Sequence, residues 1–141
     1  MTRSQVALMR EGYALIAPRS DSICLAFCHR LFELDLSLRT LFPSDLRPLT
    51  ATLAAALETL MRSLDDLQPV LVRAPALGLR LASYGLKPAD VSIAAAAFLA
   101  TLEDELGDGF TDAARTAWRH VFWTVARVAT NAMAEALPEA A

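Results

Sequence analysis

Apolar residues recur every third or fourth position along nearly the whole chain. Ile23, Phe27, Leu31 and Leu34 form one stripe, with Cys24, Cys28 and Phe32 beside it. Leu49, Leu53, Leu57, Leu60, Leu64 and Leu67 form a second. Ala114, Ala117, Trp118, Val121, Phe122, Val125, Val128, Ala129 and Ala132 form a third. This is the period of amphipathic helices that bury one face. No segment alternates with period two over the length of a strand.

The breaks between stripes carry turn and cap chemistry. Pro18 with Ser20 and Asp21 reads as an end and a new cap, and Asp35 as the cap of a short turn. Phe42-Pro43-Ser44-Asp45 and Gln68-Pro69 are further breaks. In Tyr84-Gly85-Leu86-Lys87-Pro88, Gly85 fits the residue after a helix end and Pro88 the start of the next helix. After Gly107-Asp108-Gly109, Thr111 or Asp112 can cap the last helix. The pattern predicts helices over 4–17, 21–34, 36–41 (short), 45–65, 70–83, 89–106 and 112–136. The expected fold is all-α, one domain over 1–141, with the last two helices paired as an antiparallel hairpin.

Composition sharpens this picture. Of 141 residues, 55% are hydrophobic, and the mean hydropathy is +0.36. That is enough to raise a membrane span, but the most apolar run is only Val91 to Leu102. A spanning helix needs about 20 such residues. Arg10 and Glu11 interrupt the only region where a secretory leader could lie. The expectation is a cytoplasmic protein with no membrane partner. A net charge of −3 argues against a nucleic-acid partner. Two cysteines make no disulfide framework.

Three segments carry a resemblance: FCHRLFELDLSLRTLF (27–42), LGLRLASYGLKPADV (77–91) and LEDELGDGFTDAARTAW (102–118). In order and spacing they resemble the globin family, specifically bacterial single-domain haemoglobins and the globin part of flavohaemoglobins. The resemblance implies a globin fold with a haem pocket. Phe42 matches the haem-stacking phenylalanine. Leu81 stands where the family places the proximal histidine that binds iron, in a register held by Gly78, Arg80, Tyr84 and Gly85. Leucine has no lone pair for a metal. By the same resemblance, Cys28 replaces the distal tyrosine and Leu49 falls at the distal glutamine or histidine position. Val91 and Met133 replace a tyrosine and a glutamate behind the proximal residue. Leu53 and Phe98 complete the expected lining, with Tyr84 at the turn.

Each polar residue of the haem site is thus replaced by an apolar or soft one. The histidines offer no substitute: His29 and His120 both read as surface residues. Cys28 is the weak candidate for a metal ligand, with Tyr84 and Met61 behind it. No catalytic triad, phosphate loop, zinc spacing or calcium loop is present, and Asp65-Asp66 and Glu103-Asp104-Glu105 read as solvated helix ends. The expected function is non-enzymatic: a sensor or interaction module with no cofactor. Its former haem pocket would be refilled by side chains or occupied by an apolar small ligand, since large voids cost stability. The alternative is a globin binding haem b through an unusual axial ligand, for redox or gas sensing. A haem enzyme of oxygen or nitric oxide ranks last. Resemblance also implies a homodimer through helices 89–106 and 112–136, where Ala94, Ala95, Ala97 and Ala100 permit close approach and Trp123 is presented.

Overall fold

The computed structural model describes residues 1–136. Among them are six α-helices: α1 (Arg3–Ile16), α2 (Ser20–Leu34), α3 (Arg47–Arg62), α4 (Gln68–Ser83), α5 (Asp90–Leu106) and α6 (Asp112–Ala136). Single 3-10 turns cover Ala17–Arg19, Leu36–Leu41 and Gly107–Gly109, and no strand is present among the described residues. No helix among them is long and apolar enough to cross a membrane.

The predicted elements stand, with local corrections. Ser20 and Asp21 do not cap α2. Pro18 lies in a 3-10 turn that leads directly from α1 into α2, so Ser20 is already helical and its N–H donates to Ala17. Segment 36–41 is a 3-10 turn, opened by Asp35, whose Oδ1 accepts from the Ser37 N–H at 3.0 Å. Helix α3 is shorter than 45–65. Asp45 turns back to accept from Arg47 N, Nε and Nη2, which leaves it outside the helix. Pro48 then occupies the first turn, where its missing N–H costs nothing. Pro69 lies inside the first turn of α4 for the same reason. Thr111 caps α6, accepting from Ala114 N at 3.2 Å.

Helices α5 and α6 touch, but the hairpin is not the main pairing. Helix α6 lies chiefly along α4, and α5 crosses α2. Gly78 explains the first preference. A Cβ built there would stand 2.2 Å from the Ala129 carbonyl oxygen, so the two backbones meet with no side chain between them. Ala95 and Ala97 on α5 are buried within the chain itself, whereas Trp123 on α6 is half-buried.

The acidic run at the end of α5 ties elements together instead of only facing water. Glu103 pairs with Arg115 of α6, Asp104 with Arg30 of α2, and Glu105 with Arg19 of the first 3-10 turn. These pairs are largely exposed, and each contributes at most about 1 kcal/mol. Burial does the larger share of the work, in two clusters. One gathers Met9, Ile16, Met61, Leu102, Trp118 and Val121. The other gathers Cys28, Phe32, Phe42, Leu49, Leu86 and Met133.

Candidate functional site

Between these two clusters lies a cavity of about 530 Å³, within the range of small-molecule sites. Its walls come from α2, α3, α4, α5 and α6. Cys28, Phe42, Leu49, Leu53, Leu81, Val91, Phe98 and Met133 all line it. These side chains therefore form its wall without filling it. The frame explains this: α4 is fixed against α6 at Gly78 and Ala129, so it cannot slide inward to close the space.

The turn after α4 fixes Leu81 further. Gly85 adopts φ +101°, a left-handed conformation that glycine takes without strain. Its N–H donates to the Ala82 carbonyl at 2.9 Å, and the Leu86 N–H donates to the Leu81 carbonyl at 3.3 Å. This double closure is a Schellman motif, and its usual apolar contact places Leu86 near Leu81 in one cluster. Phe42 is set by the corner before α3, where Arg39 Nη1 donates to the Phe42 and Pro43 carbonyls at 3.1 and 3.2 Å. Its ring packs between Phe32 and Tyr84, with centroids 5.7 and 5.0 Å away.

Two expected residues do not reach the cavity. Tyr84 sits behind Phe42, because it is the C-cap residue of α4 and its ring turns toward that phenylalanine. Met61 packs into the cluster around Trp118, with Leu57 one turn before it on α3 and Leu64 just beyond the helix end. Neither histidine lines the cavity, and both are exposed.

Other residues line it without having been singled out. Phe27, Trp118 and Phe122 surround Phe98, with ring centroids 6.1, 5.8 and 5.6 Å from it, and all four face the cavity. Each was legible as part of a stripe, but only the crossing of α2, α5 and α6 brings them together. Cys24 also lines the wall. Burial pushes the Cys24 and Cys28 thiols up to about 11, Asp21 adding to the first and Cys24 to the second. Both are free thiols, protonated at neutral pH.

The polar lining is sparse. Thr52 and Thr59 donate their hydroxyls back to the carbonyls of Pro48 and Ala55. Ala55, Arg73, Ala76 and Arg80 line the cavity and are also exposed, so they mark its mouth, between α3 and α4. Among the described residues, no cluster of three histidine, cysteine or carboxylate side chains could hold a metal ion.

Helical content, crossing pattern and central cavity together define a globin fold. A bacterial globin from Campylobacter jejuni superposes with a TM-score of 0.81 at 14% identity, covering 95% of this chain and 97% of that one. The closed form of the globin domain of HGbRL gives a TM-score of 0.46 at 23% identity, covering 96% of this chain and 98% of that one. No protein-family model matches the chain, and no curated protein sequence does either.

Proposed function

We propose that this is a haemless globin-fold module, a non-enzymatic sensor or interaction protein that holds an apolar small molecule in its central cavity. The observation that carries this reading is Leu81 on the cavity wall, with no imidazole facing the same space. A globin fold implies haem, but the donor set here does not fit it. Across haem proteins, iron is held by an imidazole, thiolate, thioether or phenolate donor, and in globins by an imidazole. The described lining offers no imidazole, only the Cys24 and Cys28 thiols, whose burial disfavours the thiolate, and the Met133 thioether. Tyr84 and Met61, the other substitutes, face elsewhere.

The cavity suits an apolar guest. Its wall is aliphatic and aromatic, and a void of this size forfeits contact energy unless something fills it.

Titration with haemin tests the reading. No saturable Soret band is expected, and native mass spectrometry should find a bound apolar molecule. A sharp, stoichiometric Soret band would overturn the haemless reading. Its loss in Cys28→Ala would then establish thiolate ligation.

A further inference from the structure

We propose that the cavity selects a single-chain amphiphile with an anionic head group, the chain entering the apolar interior and the head held at the mouth by Arg73 and Arg80. This rests on the reading of the cavity as a ligand site and specifies what kind of ligand it takes.

The two arginines are seven residues apart on α4, two turns along one face and about 10 Å along the axis. Leu77 lies between them and faces the cavity, so the face that carries the charges continues into the apolar wall. Among the described residues, neither guanidinium makes a salt bridge or a side-chain hydrogen bond. The chain's other ion pairs occupy arginines on other elements, for instance Arg62 with Glu58.

The rest of the rim is uncharged, with one exception. Across the mouth stand Ala55, Ala56, Thr52 and Thr59, whose hydroxyls already serve their own helix. Asp90 is the one acidic residue among the described lining, and its Oδ2 accepts from the Lys87 N–H at 2.9 Å, closing the start of α5. The mouth is therefore net positive on a chain whose overall charge is −3. An apolar interior below a pair of guanidinium groups matches an acyl chain ending in a carboxylate or phosphate, which arginine binds in a fork.

Calorimetric titration of the full chain separates the possibilities, each ligand kept below its micelle concentration. Four probes share one alkyl chain: dodecanoate, dodecyl phosphate, dodecanol and dodecyltrimethylammonium. The two anions are expected to bind about tenfold or more tightly than dodecanol, and the cation most weakly. Added salt should weaken only the anions. In the double variant Arg73→Gln, Arg80→Gln the anions should fall to within about twofold of dodecanol, whose own affinity is unchanged. Both positions are exposed, so the variant keeps its core. Equal binding of dodecanoate and dodecanol, or an advantage that survives the double variant, would overturn head-group selection and leave the apolar cavity standing. No binding by any of the four would overturn the ligand-site reading itself.

Discussion

Gly78 and Ala129 meet backbone to backbone. A Cβ at position 78 would lie 2.2 Å from the Ala129 carbonyl oxygen and 3.0 Å from its Cα. The obstacle is main chain, so no rotamer can relieve it. This contact holds α4 on α6 and sets how far Leu77 and Leu81 stand from the opposite wall.

Gly78→Ala should therefore destabilise the protein. Alanine is the better helix former by about 1 kcal/mol. Overpacking against rigid backbone costs about 3 kcal/mol and outweighs it. Urea denaturation of the two proteins measures the difference. A variant as stable as the parent would mean that α4 and α6 separate freely, and the cavity could then not be rigid.

Leu81→His places an imidazole on the cavity wall, in a turn already closed by Gly85 and Leu86. The variant should gain a saturable Soret band on haemin titration that the parent lacks. Some loss of stability accompanies it, because position 81 is half-buried on an apolar wall and an unpartnered polar ring there costs part of the roughly 1–3 kcal/mol of a fully buried one. If no band develops, the wall at position 81 does not hold the geometry of a proximal ligand.

Much of this site can be read from the chain, for identifiable reasons. The end of α4 is legible because Gly85 marks it, and the Schellman motif there sets where Leu81 stands. Leu49, Leu53, Val91 and Phe98 follow from helical period combined with the globin resemblance. Tyr84 and Met61 mislead because period and resemblance give a helix face, not which side chain stands between that face and the cavity. Tyr84 turns toward Phe42, and Met61 joins Trp118. Arg80 serves in the sequence only as a register marker and Arg73 carries no signal, so neither points to a ligand. Only the gap between α3 and α4 makes them the rim of a cavity.

The buried thiols predict a pH dependence. Cys24 and Cys28 are 6% and 1% exposed, and their folded-state values rise from 9.0 to about 11. Below pH 9 both thiols are neutral in folded and unfolded chains, so their contribution is fully present. Between pH 9 and 11 the unfolded chain ionises first, and stability falls. The loss is on the order of 2 kcal/mol for one thiol, and less than twice that for the coupled pair. Urea midpoints measured across this range should decline more steeply in the parent than in Cys24→Ala, Cys28→Ala. Equal slopes would show that the thiols are hydrated in the native state.

Filling the cavity tests its existence most directly. Ala74 is 2% exposed and stands on the α4 wall. Ala74→Leu adds three carbons where the structure has space, at no cost in helix propensity of consequence. Added apolar burial is worth about 0.8 kcal/mol per methylene, so the variant should gain about 1–2 kcal/mol. It should also lose dodecanol binding by about tenfold or more, because guest and side chain compete for one volume. Denaturation and calorimetry on the same preparation read both effects. In a collapsed interior the substitution would overpack instead, losing stability by about 1–3 kcal/mol while leaving no binding to lose. Opposite signs of the stability change thus distinguish an open globin cavity from a closed one.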